Sequence, residues 1–422
     1  MSTTEQFLNQ RDIDGFVSDL KEWPNCAWGD DEQYLGVTPY TTFYFHFPEG
    51  KHMDASLAMV DIHEEWEAIL GKPYTIATHP DSERPHPYGS KRLPDLRLFA
   101  QEKRKDVMKS SFNFNFTDEK NHTSSPATAS YFWRNTVWSP DEQKFSYIQL
   151  YYRWSWWLEN QSVWRAFVLR VTERLRAVQV YSGFSMALPL AFGSDYEIGA
   201  WERVLADRFY GLDMDHPFWM KHGLNHGIAQ PLSGGLRPTT WGTFVEQRWE
   251  AKLGMSLDEL QAKLPTGVRS HRLSHGLWLE IGEQPSLLAV EDGIPAAHIA
   301  LNQLLKPIRY ENLSINSMGE WDGDPNERFN DDDTKRWIRR FDVDGDWPTP
   351  EVRFLQTPPA QTSASDKQLR LLPGHPAPRS GHWYTPALKG EAGLCRLQEG
   401  EAAPATTESE WGAVIWYLLE AK

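Results

Sequence analysis

The sequence has few cysteines, few basic residues relative to acidic ones, and no long apolar run. Its 422 residues contain two cysteines, too few for a disulfide framework, which points to a reducing compartment. Residues 1–11 are polar and lack the apolar stretch of a secretory signal peptide. No run approaches the roughly 18 apolar residues of a membrane helix. These absences predict a cytoplasmic protein that neither crosses nor binds a membrane.

Positive charge is scarce, since 43 Lys and Arg residues stand against 58 Asp and Glu, a net charge of −15 at pH 7. An acidic protein repels phosphate backbones, so direct binding to DNA or RNA is not expected. The same charge favours a basic protein partner, or serves solubility alone. Charged residues (24%) and hydrophobic residues (40%) occur in ordinary globular proportions, which excludes a mainly disordered chain.

The sequence also lacks the strong motifs of enzymes and cofactor-binding proteins. It has no Walker A loop, no Rossmann glycine fingerprint and no zinc-knuckle spacing. Residues 183–187 resemble a nucleophile elbow but end in alanine, and no triad partner can be named. We therefore predict no catalytic residue, no cofactor and no metal site, and interpret the chain as a binding protein rather than an enzyme.

Two His-x-x-x-His pairs come nearest to a metal site. On a helix, His222 and His226 would share one face, but their segment contains Gly223 and lacks the glutamate of zinc proteases. His271 and His275 fall in a predicted hairpin, where four residues span about 13 Å. We interpret both pairs as ordinary loop histidines, with zinc binding as the alternative.

Aromatic residues are plentiful, with 20 Trp, 15 Tyr and 20 Phe. Such a content indicates a large aromatic core. The alternative is an aromatic-rich contact surface, because Trp and Tyr dominate the hot spots of protein interfaces.

Hydrophobic periodicity predicts an α+β fold, with a mixed, mainly antiparallel sheet and packed helices. Residues 41–47 alternate as a half-buried strand, and a helix runs from about Asp54 to Gly71. A second strand–helix–strand block covers residues 145–190: a strand over 145–157, favoured there over a helix, then a helical stripe at 163–175 and a strand over 178–190. Further along, we predict a helix over 241–253, a capping box at Ser256 and Glu259, a hairpin over 268–281, and helices over 295–306 and 334–341.

Composition divides the chain into three parts. Residues 1–345 are the predicted α+β domain, with candidate halves at about 35–130 and 131–345. Residues 346–378 are rich in Pro, Ser, Thr and Gln and are predicted to be a linker. Residues 379–422 regain tryptophans and turn glycines, which predicts a small C-terminal β module.

The strongest charge cluster lies between Glu320 and Asp333, where seven acidic residues stand against one base. Its spacing partly mimics a calcium loop, but Glu327 stands where such a loop needs glycine, and Asp333 where it needs glutamate. Three interpretations stay open: a solvated acidic loop, a patch that docks a basic partner, and a calcium site.

Several short motifs, taken in order, resemble a known family. They are Tyr181-Ser182-Gly183-Phe184, Arg208-Phe209-Tyr210-Gly211-Leu212-Asp213-Met214-Asp215, Trp241-Gly242-Thr243-Phe244, Lys252-Leu253-Gly254 and Arg339-Arg340-Phe341-Asp342. This order resembles the bacterial type VI secretion immunity family, whose members are associated with protection against VRR-Nuc nuclease effectors. The resemblance covers about residues 41–342. Thr240 and Gly242 depart from the family pattern, which has Asn and Leu there.

Two further expectations attach to these motifs. Gly211 is predicted to end the preceding helix and Asp213 to cap the following segment. The tail, residues 379–386 and 412–416, is similar to the small C-terminal β module of other predicted toxin-immunity proteins.

The resemblance implies a cytoplasmic protein that binds a cognate type VI effector toxin, a nuclease, and neutralises it by stoichiometric occlusion. An acidic inhibitor gains association rate with a basic toxin through electrostatic steering. The alternatives are a metal-dependent or other hydrolase that detoxifies the toxin or its product, and an adaptor or chaperone that loads an effector. The predicted toxin-binding residues are Trp321, Asp322, Asp324, Asp331, Asp332 and Asp333.

Overall fold

One large, mainly antiparallel sheet organises most of the chain. The computed structural model describes residues 8–30, 33–48, 50–80, 82–93, 95–101, 112–135, 145–190, 195–217, 234–313, 315, 326–356, 369–406, 408–409 and 412–421. Within these residues the large sheet has twelve strands: β1 (Ala27–Gly29), β2 (Tyr34–Phe45), β3 (Ile76–His79), β4 (Ser82–Pro87), β5 (Phe112–Thr117), β6 (Ala129–Arg134), β7 (Ser146–Tyr151), β8 (Gln179–Met186), β9 (Leu212–Asp213), β10 (Gly242–Glu246), β11 (Val268–Leu273) and β12 (Gly276–Ile281).

The strand order is β11-β12-β10-β8-β2-β7-β6-β5-β3-β4, with β1 paired to β2 and β9 to β8. The pairing of β8 with β9 is parallel, and the other strand pairs along this order are antiparallel. The predicted α+β class with a mixed, mainly antiparallel sheet is thus confirmed. The terminal strand β4 contains Pro85 and Pro87, which lack N–H donors and discourage pairing with a further strand.

Helices pack around this sheet. None of the described helices is long and apolar enough to cross a membrane. In chain order they are α1 (Gln10–Glu22), α2 (His52–Leu70), α3 (Leu96–Gln101), α4 (Trp154–Glu159), α5 (Gln161–Leu175), α6 (Asp195–Ala206), α7 (Glu250–Leu253), α8 (Leu257–Ala262), α9 (Ala296–Leu305) and α10 (Asp331–Ile338).

Strand β2 crosses the middle of the sheet and is buried on both faces. Phe43 belongs to the main hydrophobic cluster, whereas Tyr40 and Tyr44 belong to a second, tyrosine-rich cluster. The prediction of a half-buried strand was therefore wrong, because neither face of β2 is open to solvent. The second face is covered too, because the chain around Asp215 and Arg237 packs over it.

The predicted helix after Asp54 and the helical stripe at 163–175 are confirmed as α2 and α5. They pack together on one face of the sheet, where the rings of Trp66 and Phe167 lie 4.7 Å apart. The residues before α5 were predicted as one strand over 145–157, but β7 ends at Tyr151 and α4 follows. The short helix begins a chain of indole rings with neighbouring centroids 4.8 to 6.3 Å apart, formed by Trp154, Trp157, Trp164, Trp241 and Trp278.

The predicted helix over 241–253 was wrong for its first half. Residues 242–246 form β10, which pairs with β12 along its length and with β8 at its start. The apolar residues do recur at helical spacing, but Gly242 lets the strand pass close to Trp278, whose ring would lie 2.6 Å from an added Cβ. A short α-helix begins only at Glu250 and ends at Gly254, in the left-handed region.

Several local predictions are confirmed. The side chains of Ser256 and Glu259 form the predicted capping box at the start of α8. The hairpin over 268–281 forms from β11 and β12. The helix predicted over 295–306 is α9. The helix predicted over 334–341 starts earlier, at Asp331, because Asn330 caps it.

A second, four-stranded sheet forms the C-terminal module, with strand order β13-β18-β14-β15. Tyr384 and Leu419 of this module join the main hydrophobic cluster, and the Gly390 N–H donates to the Glu65 carboxylate of α2 at 3.0 Å. The module therefore docks on the helical layer. Its strands, with a separate two-stranded ribbon of β16 and β17, are β13 (Arg370–Leu371), β14 (Gly381–Tyr384), β15 (Leu394–Leu397), β16 (Glu408–Ser409), β17 (Gly412–Ala413) and β18 (Trp416–Ala421).

Both ends of the predicted linker, residues 346–378, make contacts. Trp347 is fully buried and its indole N–H donates to the Ala206 carbonyl at 3.0 Å. Leu355 forms a bridge with Ile294. At the other end, Leu371 belongs to the core of the C-terminal module. The division of the chain into domains stays a prediction.

Candidate functional site

The predicted toxin-binding residues lie in the first turn of α10 and in the segment before it. Trp321, Asp322 and Asp324 lie outside the described residues. Asp331, Asp332 and Asp333 open the helix. The Asn330 side chain caps it by accepting from the N–H groups of Asp332 at 2.9 Å and Asp333 at 2.8 Å. Carboxylates at this end also offset the positive end of the helix dipole, so part of the acidic run has a local structural cause.

Asp333 is tied into the fold. Its carboxylate accepts from Arg203 of α6 at 3.1 Å, and its side chain is 15% exposed. Arg203 in turn lies over the ring of Trp347, 5.0 Å from the ring centre. Asp333 thus anchors α10 to α6 and is engaged before any partner arrives.

Asp331 and Asp332 are the two predicted residues of this turn that face solvent. The Asp332 side chain is 90% exposed, and it pairs at 3.3 Å with Lys335, whose side chain is 64% exposed. Such a surface pair contributes little to stability, because water screens it. Both carboxylates are therefore exposed at the surface of the first turn of α10.

The histidine pairs provide no metal site in the described part of the chain. His222 and His226 lie outside it. His271 is buried against Tyr384, and burial lowers its pKa to about 3. The Nε2 atom of His275 contacts the Ala177 carbonyl instead, at 3.1 Å. Among the described residues no group of three or more His, Cys, Asp or Glu side chains could hold a metal ion.

Sequence reasoning missed a buried ion network on the tyrosine-rich face of the sheet. Arg237 pairs with Asp213 at 3.1 Å and with Asp215, and these side chains are at most 1% exposed. The hydroxyls of Tyr40 and Tyr44 donate to the two carboxylates, Tyr44 to Asp215 at 2.5 Å. A signal was present, because two aspartates two residues apart on an extended chain lie on the same face.

Burial and charge fix the protonation states in this network. Burial, and next the Asp213 carboxylate, raise the pKa of Tyr40 well above its ordinary value. Burial lowers the pKa of Arg237, but Asp213 and Asp215 outweigh it and hold that pKa well above its ordinary value. The tyrosine therefore stays a donor and the arginine stays charged near neutral pH, which suits a structural network rather than proton transfer.

Two expectations for the motif at residues 208–215 were wrong. Helix α6 ends at Ala206, so Gly211 does not end it. Gly211 is needed for close approach instead, since an added Cβ would lie 2.2 Å from the Ser286 carbonyl oxygen. Asp213 pairs with Arg237 and does not act as a cap.

The closing motif, residues 339–342, is also largely structural. The Asp342 carboxylate accepts from Arg309 at 2.7 and 2.9 Å and from Asn302 at 2.7 Å. Although burial opposes it, these hydrogen bonds hold the pKa of Asp342 well below its usual range. Arg340 is buried 3.7 Å over the ring of Trp337 and donates to the Tyr210 carbonyl at 2.9 Å, which joins this motif to the previous one.

Four charged residues of the motifs, Asp213, Asp215, Arg340 and Asp342, are thus buried. A buried side chain cannot touch a partner protein. These residues define the scaffold, and any partner must be recognised by exposed residues elsewhere.

Comparison with solved structures shows that this fold resembles that of a type VI secretion system protein. The chain matches the solved structure of the Pseudomonas aeruginosa T6SS protein PA0821 with a TM-score of 0.64. The two chains are 19% identical, and the match covers 82% of this chain and 94% of that one. At this identity the likeness concerns the fold. No curated protein matches the chain.

The family follows from a sequence-family model. The TsiV family, described as type VI immunity for VRR-NUC, matches residues 92–341. The chain therefore belongs to this type VI immunity family, and the family predicted from the order of the motifs is confirmed.

Proposed function

We propose that this protein binds a cognate VRR-Nuc effector and neutralises it by one-to-one occlusion. The family match over residues 92–341 carries the proposal. In this reading the protein acts in the cytoplasm, where a nuclease reaches DNA. It inhibits by contact rather than by catalysis.

The charge of the protein supports an occlusion mechanism. A nuclease must bind a phosphate backbone, so its substrate-binding surface is basic. This protein carries a net charge of −15 and presents Asp331 and Asp332 at an exposed helix start. An acidic surface competes with nucleic acid for the basic one and speeds encounter with it.

The docking site proposed on this basis is the acidic first turn of α10. Asp331 and Asp332 supply the exposed charge, and Trp321, Asp322 and Asp324 are expected to extend the site. Asp333 is left out of it, because it already pairs with Arg203.

Co-expression with the product of the adjacent gene, tested as the candidate effector, tests the function. We expect the protein to restore growth and to co-purify with the effector in a one-to-one complex without nuclease activity. Rescue without a complex would instead indicate enzymatic detoxification. Co-purification of an effector that still cuts DNA would indicate an adaptor or chaperone.

A further inference from the structure

Four exposed apolar side chains lie close together in the chain after α10. Val343, Val352, Phe354 and Leu355 are 50%, 47%, 49% and 39% exposed. Single exposed apolar residues are ordinary on protein surfaces, whereas a group of them marks an interaction site. We call these four residues the 343–355 surface.

Hydrogen bonds hold the 343–355 surface in place. The Ile294 N–H donates to the Phe354 carbonyl at 2.9 Å, and the Gln356 N–H donates to the Ile294 carbonyl at 3.0 Å. The Arg353 guanidinium donates to the Val343 carbonyl at 3.0 Å, which brings the two ends of the segment together. A surface fixed in this way loses little conformational entropy when a partner binds.

Phe354 has the character of an interface anchor. Its ring packs against Gly293, where an added Cβ would lie 2.3 Å from the ring. Half of the side chain nevertheless stays exposed. Half-exposed aromatic rings on a fixed backbone are typical hot spots of protein interfaces.

Exposed carboxylates lie next to the apolar residues in the chain. Asp344 and Glu351 flank it in sequence, and the Asp292 carbonyl accepts from the Gln356 side chain at 2.6 Å. All three acidic residues are exposed, and none forms a salt bridge with another described residue. An apolar centre with an acidic rim complements a basic protein surface that presents apolar side chains.

The chain segment that carries the 343–355 surface contacts the last turn of α10. Arg336 of this helix pairs with Asp346 at 3.1 Å and donates to the Pro348 carbonyl at 2.6 Å. We propose that the 343–355 surface is the apolar anchor that holds the basic nuclease effector, while the first turn of α10 guides its approach. The inference rests on the proposed function and assigns a second, separable part to its interface.

Binding kinetics with a catalytically inactivated effector test this division. We expect the double variant F354S/V352S to dissociate about tenfold faster than the parent, with an association rate within about twofold. Val352→Lys alone, which adds a like charge opposite a basic partner, is expected to act in the same direction. Leu372→Ser is the matched control, because Leu372 is 54% exposed but lies in the C-terminal module, and it is expected to bind like the parent.

Three results would overturn the assignment, and they are distinguishable. If the parent protein binds and blocks the effector while both variants dissociate at the parental rate, the 343–355 surface is not the anchor, and the proposed function is unaffected. A parent that does not bind the effector removes both. If the parent protein is a dimer that F354S/V352S converts to a monomer, and effector binding is unchanged, the 343–355 surface binds a second copy of this chain. An unfolding temperature equal to that of the parent protein shows that each variant is folded.

Discussion

Arg237 is the residue on which the buried charges of the tyrosine-rich face of the sheet depend. It neutralises two carboxylates, Asp213 and Asp215, that no solvent reaches. Taking charges out of water is costly, so such a network is stable only while every member is present. The two aspartates of the motif at residues 208–215 are therefore needed for folding.

Replacing Arg237 by methionine keeps an unbranched, flexible side chain but shortens it and removes its charge. We expect a loss of about 3–5 kcal/mol in the free energy of unfolding, because two buried carboxylates lose their partner. Urea denaturation of the purified variant measures this. The matched control is Arg97→Met, since Arg97 also contacts two carboxylates, Asp61 and Glu64, but at the surface. Its expected cost is below about 1 kcal/mol, and equal losses in both variants would contradict the argument.

His63 makes stability depend on pH. Its ring stacks on Phe116 at 3.8 Å, and burial lowers its pKa from 6.5 to about 3. Below pH 6.5 the unfolded chain takes up a proton that the folded chain refuses, so stability falls from that pH down to about pH 3. We expect His63→Phe to reduce the loss of stability between about pH 7 and about pH 5 by about 2 kcal/mol. The measurement compares the change in the free energy of unfolding between the two pH values in variant and parent. The packing cost of the substitution is the same at both pH values and cancels. An unchanged pH dependence would show that His63 is not the responsible group.

At the scale of elements, β10 joins the β11–β12 hairpin to the rest of the large sheet, because glycine lets it pass Trp278. An added Cβ at Gly242 would lie 2.6 Å from the Trp278 ring and 3.1 Å from the Ser182 Cβ. We expect Gly242→Ala to cost about 1–3 kcal/mol in a denaturation experiment, since the core is overpacked. Gly183→Ala in the adjacent β8 is the control, because the nearest atom there, in Tyr40, lies at an ordinary 3.7 Å. It is expected to cost less than about 1 kcal/mol, and similar costs would mean that Trp278 moves aside.

Local signals predicted several elements, and long-range contacts decided the rest. The capping box at Ser256 and the helix ending at Gly71 follow from a few neighbouring residues. In contrast, β10 exists because β8 and β12 lie on either side of it, which no local pattern contains. Asp213 was taken for a cap for the same reason, since its partner Arg237 lies 24 residues away. The acidic charge of the α10 turn was visible in the sequence, but the pairing of Asp333 with Arg203 was not.

At the scale of the whole molecule, excess negative charge is expected to make the proposed association with a basic effector depend on salt. Asp331→Asn with Asp332→Asn is expected to slow association about two- to tenfold at low ionic strength and to flatten its salt dependence. Asp258→Asn is the matched control, since Asp258 is 84% exposed and lies in the first turn of a different helix, α8. Stopped-flow association at several salt concentrations measures both. If the control slows binding as much as the double variant does, net charge rather than the α10 turn guides the encounter.

The chain of indole rings from Trp154 to Trp278 also determines how the protein responds to ultraviolet light. Rings this close exchange electronic excitation before they emit, so light absorbed by one tryptophan is shared among its neighbours. The emission becomes a collective property of the core, and its polarisation decays without any rotation of the molecule. Loosening of any one ring is then sensed by the whole set.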